Sequence, residues 1–104
     1  MNAFGAKQPY EAYYVDFDFT KVIVSPDTIA SATVTAVDQD GVDVTNTVIT
    51  TIKQNIASPK VYVWVTGGTS GKTYIITCKI ITANGEKYEK DGELPVKELD
   101  YQSR

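Results

Sequence analysis

Apolar residues recur at every second position over short runs of this chain, the period of a strand that buries one face. In "YVDFDFT", Val15, Phe17 and Phe19 alternate with Asp16 and Asp18. Ser25-Pro26-Asp27 breaks that run, and "TIASATVTAV", Thr28 to Val37, sets Ala32, Val34 and Ala36 against Thr33 and Thr35. Its β-branched residues disfavour a helix. Asp40-Gly41 is a turn signal. "TNTVITTIKQNI", Thr45 to Ile56, is less regular and is expected to be one strand and its exit. After Ser58-Pro59 come "KVYVWV" and "TYIITCKIIT", where Tyr74, Ile76, Cys78 and Ile80 share a face. Asn84-Gly85 is the strongest hairpin signal, returning the chain into "EKYEKDGELPV". Short strands at steady spacing with no helical period predict an all-β fold. The pattern is that of an immunoglobulin-like antiparallel β-sandwich of about seven strands. The expected organisation is an irregular N-terminal arm over residues 1–12, one sandwich domain over 13–97 and a flexible C-terminal tail over 98–104.

The chain of 104 residues carries ten basic and thirteen acidic side chains, a net charge of -3. That balance favours neither nucleic acid nor an anionic membrane as a partner. The charge is uneven: residues 1–52 hold seven acids and two lysines, a net of -5, and residues 53–104 hold six acids and eight bases, a net of +2. Mild head-to-tail attraction between copies is conceivable from this asymmetry. Cys78 is the only cysteine, so neither an intrachain disulfide nor a cysteine pair for zinc can form. No apolar run approaches the roughly 20 residues that span a bilayer, and "MNAFGAKQPYE" lacks the apolar core of a signal peptide. Synthesis in the bacterial cytoplasm is expected.

"GGTSGKT", Gly67 to Thr73, invites comparison with a phosphate-binding loop. Counting back from Gly71-Lys72-Thr73, the first glycine of that motif should stand at Thr66; starting from Gly67 leaves the loop one residue short. The motif must also open into a helix, whereas Thr73 leads into a β-rich run. An inter-strand turn is expected, with Tyr74 bonding back to it as in a tyrosine corner. Asp38, Asp40 and Asp43 around Gly41 resemble the start of a calcium loop, but no bidentate acid follows, and the expected role is a solvated acidic turn. The chain has no histidine, which removes the commonest general base. Cys78, between Ile76 and Ile80, is expected to behave as a small apolar residue. Asp16 and Asp18 share a strand face with no apolar pocket to separate their pKa values. No enzyme, no cofactor and no small-molecule substrate are expected.

The surplus apolar surface is more informative. Val61, Val63 and Val65 alternate with Tyr62 and Trp64, and Ile75 and Ile81 lie opposite Tyr74 and Cys78. An antiparallel sheet needs one buried face only. Either the N-terminal arm or a long loop covers the second face, or Tyr62 and Trp64, with Ile75 and Ile81, form an interface.

From about Lys7 to Val96 the order of motifs resembles the phage fibre-tail adaptor proteins, a family of small tailed-phage and prophage structural proteins. The resemblance rests on "KQPYEAYYVDFDF", "DTIASATVTAV", "VWVTGGTSGKTY" and "CKIITANGEKYE", with Val63 to Tyr74 the most specific stretch. The longer middle, "QNIASPK", and the acidic tail "KDGELPVKELDYQSR" depart from the family pattern. The resemblance implies an immunoglobulin-like virion component that binds other tail or neck proteins, and the uneven charge adds self-association to the expected contacts. The competing reading is a bacterial immunoglobulin-like module that stacks an aromatic ring on a carbohydrate or binds a host surface.

Overall fold

The period-two runs become two sheets packed face to face. A computed structural model of the chain describes residues 2–98. In chain order the elements are β1 (Asn2–Ala3), β2 (Tyr13–Asp18), β3 (Ile29–Val37), α1 (Thr45–Val48), a 3-10 turn (Thr51–Lys53), β4 (Asn55–Ala57), β5 (Lys60–Val65), β6 (Thr73–Thr82) and β7 (Lys87–Pro95). One sheet has the order β1-β7-β6-β3 and the other β2-β5-β4. The all-β sandwich therefore stands, with a corrected count. Among the described residues three antiparallel strands form each sheet, six where about seven are expected, and β1 is a two-residue parallel addition opposite Gly92 and Glu93.

The middle segment departs most from its reading as a strand. Val48 and Ile49 are neighbours, yet both are buried, at 0% and 3% exposure. A strand would send adjacent side chains to opposite faces, whereas a helical turn can direct both inward. α1 provides that turn for Val48, and Ile49 leaves it in extended backbone bridged to Val65, so the change of course at this boundary aims both inward. The start of α1 is organised by the Asp43 carboxylate, which accepts the Thr45 amide at 2.9 Å and the Thr45 hydroxyl at 2.7 Å. Asn55 and Ile56 end the segment in β4, paired with Tyr62 and Val61 of β5, and Ile49 bridges Val65 of the same strand.

The alternation elsewhere is realised as read. Phe17, Val34, Ala36, Val61, Val63 and Ile76 point inward and are buried, and the face shared by Tyr74, Ile76, Cys78 and Ile80 is the inner face of β6. The β6–β7 hairpin turns through Gly85, at φ +88°, with the Thr82 amide donating to the Glu86 carbonyl at 2.8 Å. The N-terminal arm packs closely on the domain. The Phe4 ring stands edge-on to Phe17 at 5.4 Å and occupies the space where a Gly92 Cβ would lie, 2.5 Å from its Cε2. Of the expected C-terminal tail, the Glu98 amide donates to Ser70 Oγ at 2.9 Å; residues 99–104 lie outside the described residues.

The glycine loop crosses between β5 and β6. Gly67, Gly68 and Gly71 all take positive φ, at +59°, +92° and +91°, which side chains with a Cβ adopt at a cost. Tyr74 bonds back to the loop as expected, its hydroxyl oxygen accepting the Thr69 amide at 2.9 Å. Gly68 is doubly constrained, because a Cβ there would lie 2.8 Å from Val96 Cγ2 and 3.2 Å from Tyr74 Cε2, whereas Gly71 has open space around it. Gly68→Ala is accordingly expected to destabilise by about 2 kcal/mol and Gly71→Ala by about 1 kcal/mol, the conformational part alone. Urea titration of both variants checks the ranking, and equal losses would show that the Val96 contact adds nothing.

Candidate interaction face

Val61, Val63 and Val65 fill the core at 0% exposure, so the alternation of β5 turns Tyr62 and Trp64 to the outer face of the three-stranded sheet. Register then selects their neighbours. Tyr14 of β2 lies opposite Trp64 and Asp16 opposite Tyr62, while Asn55 of β4 flanks Tyr62 on the other side. The Tyr14 ring meets Trp64 edge to face, with centroids 4.9 Å apart and planes at 81°, and meets Tyr62 at 6.4 Å and 83°. Such pairs are the favoured aromatic geometry.

The 3-10 turn completes the cluster. The Lys53 ammonium sits 3.9 Å from the Trp64 ring centroid, a cation–π contact, and the Tyr14 hydroxyl donates to the Lys53 carbonyl at 2.8 Å. Trp64 is thereby half-buried, while Tyr14 stays 46% exposed. Ile52 beside Lys53 is 92% exposed at the tip of the turn. The patch is thus partly covered by a loop residue and not by the N-terminal arm, which pairs with β7 in the other sheet.

Charges frame the aromatic rings. The Lys60 ammonium approaches the Asp16 carboxylate at 4.0 Å, an exposed pair of little energetic value. Asp18 accepts the Thr20 hydroxyl and amide, and these bonds hold its carboxyl below the usual carboxylate range. Asp18 lines an open cleft with Thr20, Lys21 and Lys90, which Asp16 does not share.

Ile75 and Ile81 are on the outer face of the other sheet, opposite Val37 and Ser31 in register. They do not join Tyr62 and Trp64. Ile81, 41% exposed, lines an open groove of about 480 Å³ with Ser31, Thr33, Lys79, Lys87 and Glu89. Asp38, Asp40 and Asp43 are likewise not gathered around a common centre. The Asp38 carboxylate accepts the Asp40 and Val42 amides at 2.9 and 3.0 Å, and Asp43 serves α1. Among the described residues no group of three or more His, Cys, Asp or Glu side chains is placed to hold a metal ion. Cys78 is fully buried, and burial pushes its thiol up to about 12.

Two members of the face, Tyr14 and Lys53, escape the sequence reading. Tyr14 could have been found by extending the Asp16/Asp18 alternation back two residues. Lys53 carries no periodic signal, since a 3-10 turn places it. Among the described residues no helix is long and apolar enough to cross a membrane. Residues 7–95 match the family model described as podophage GP4 fiber-tail adaptor protein gp77. No curated protein matches the chain.

Proposed function

We propose, since the chain belongs to that fibre-tail adaptor family, that it is a structural component of a phage or prophage tail and docks a neighbouring tail protein through the Tyr14–Tyr62–Trp64 face. Tail assembly needs binding and no chemistry, so the reading calls for no cofactor and no catalytic residue. An immunoglobulin-like sandwich suits that role as a rigid spacer with two outer faces available for contact.

The observation that carries the reading is the aromatic cluster on a sheet face that the fold does not need to bury. Three rings in edge-to-face contact form a pre-organised surface of the kind enriched at interface centres. The same geometry disfavours carbohydrate stacking, which needs an open ring face. Lys53 lies over the Trp64 ring and Tyr14 stands against it.

Trp64→Ala tests the proposal. Its half-buried position outside the core predicts a small change in thermal stability, whereas loss of a central aromatic anchor weakens binding by roughly 2 kcal/mol, about thirtyfold. Particles assembled with the variant should carry far less of the chain, measured by quantitative mass spectrometry of purified tails. Normal occupancy with a normally folded variant would sink the docking face.

A further inference from the structure

The two long sides of the sandwich differ in the backbone groups they leave open. On one side β3 would expose the N–H and C=O groups of its even-numbered residues. Its edge is plugged at Ala36, whose carbonyl accepts the Val44 amide and whose amide donates to Thr45 Oγ1, each at 2.9 Å. The Gln54 side-chain amide adds a bond to the Ala32 carbonyl at 3.0 Å. The strand above it, β4, is only three residues long. Short strands and plugged edges are the usual defences against unwanted pairing.

On the other side β2 is a six-residue edge paired only with β5. The Phe19 amide donates to the Pro59 carbonyl, continuing that ladder. The odd-numbered residues of β2 therefore face β5, and Tyr14, Asp16 and Asp18 turn their backbone groups to the open side. The Lys90 ammonium donates to the Asp18 carbonyl and closes that end. The N–H and C=O groups of Tyr14 and Asp16 remain, on residues that are both exposed.

The side chains along this edge select against one partner. If β2 paired with β2 of a second copy, Asp16 and Asp18 would meet their own kind, and like charges opposite one another destabilise a sheet. Lys60, which approaches Asp16, stands one strand further in, so a strand arriving from the open side meets the acids first. Resting on the reading that the chain binds a tail protein, we infer that the outer edge of β2 is a strand-addition site for an extended basic segment of that protein, with Lys or Arg beside Asp16 and an apolar residue beside Tyr14. Main-chain bonds supply the attachment and the side chains its selectivity, as in other strand-addition complexes. The edge is continuous with the aromatic face through Tyr14, so one partner can use both.

The test uses the isolated chain and a synthetic peptide of alternating Lys and Val. Hydrogen exchange of the Tyr14 and Asp16 amides should slow about tenfold with millimolar peptide, while those of Val15 and Phe17, already in the ladder, should hardly change. A peptide methylated on alternate backbone nitrogens should protect neither amide, and one with Glu in place of Lys should bind much less. Asp16→Pro removes an outward N–H and leaves the β5 ladder intact, so it should abolish protection at Tyr14. Asp16→Asn keeps the N–H and should weaken binding several-fold. Unchanged exchange at both amides, or equal protection by the Glu peptide, would overturn the inference. Neither result bears on tail incorporation, which Trp64→Ala reads separately.

Discussion

Lys7→Ala is expected to lower the stability of the folded chain by about 3 kcal/mol, although it lies in a segment without regular structure. The Lys7 side chain is completely buried. Its ammonium donates to the carbonyls of Gly67 at 2.6 Å, Gln8 at 2.7 Å and Pro9 at 3.3 Å, one acceptor for each of its three donors. Its backbone is fixed too, the amide donating to Pro95 at 2.9 Å and the carbonyl accepting from Lys97 at 2.8 Å. Lys7 thus ties the arm to both the glycine loop and the end of β7. Burial lowers its pKa and the nearby Glu11 carboxylate raises it, with burial the larger influence. Alanine would strip the Gly67 and Pro9 carbonyls of this donor, the Gln8 carbonyl keeping the Glu11 amide at 3.0 Å, and leave a cavity the length of a lysine stem. Lys7→Met separates these effects, since it fills the space and still offers no donor to the Gly67 and Pro9 carbonyls. Urea unfolding should show both variants with lowered midpoints and Met less affected. A Lys7→Ala midpoint equal to that of the unchanged chain would show that the Lys7 side chain contributes nothing to folding.

This role of Lys7 could not be read in the sequence. A lysine in "AKQPY" is indistinguishable from a solvated one until a loop sixty residues away presents a carbonyl to it, and backbone acceptors leave no mark in residue type. The tyrosine back-bond was legible because Tyr74 directly follows the loop it closes, so a local pattern specifies the contact. The paired faces of β5 and β6 were legible for the same reason: period two is a local property. Thr45 to Ile56 was misread because its buried residues are adjacent. Only tertiary packing decides whether such a pair lies in a strand or at the end of a helical turn. The candidate face falls between these cases. Tyr62 and Trp64 follow from alternation within β5, whereas their meeting with Tyr14 depends on the β2–β5 register, and Lys53 depends on the irregular turn before β4. Ile75 and Ile81 share the outward phase of their strand, but which sheet β6 joins is a matter of topology, and that separates them from the aromatic rings.

Alkaline solution should unfold the chain through Cys78, and the largest single pH effect is expected there. The thiol is buried between the sheets and pushed from 9.0 to about 12 by loss of solvation. In the unfolded chain it ionises near its ordinary value. Between the two pH values the folded state therefore binds more protons than the unfolded state, and stability falls as pH rises. Three pH units of such imbalance amount to about 4 kcal/mol at most, fully present as stability below pH 9 and lost by about pH 12. Burial also raises Tyr13 and Tyr88, which act in the same direction, and lowers Lys7, which opposes them. Comparison with Cys78→Ala isolates the thiol, because every other titration is common to both chains. At pH 8 the variant should be less stable by about 1 kcal/mol, the loss of a small buried group. As the thiol of the unfolded chain ionises, that gap should close near pH 10 and then reverse, leaving the alanine variant the more stable at pH 11. Urea midpoints measured from pH 7 to 11 would show the crossing. Parallel curves for the two chains would mean that the thiol ionises in the folded state, which requires water to reach the space between Ile76 and Ile80.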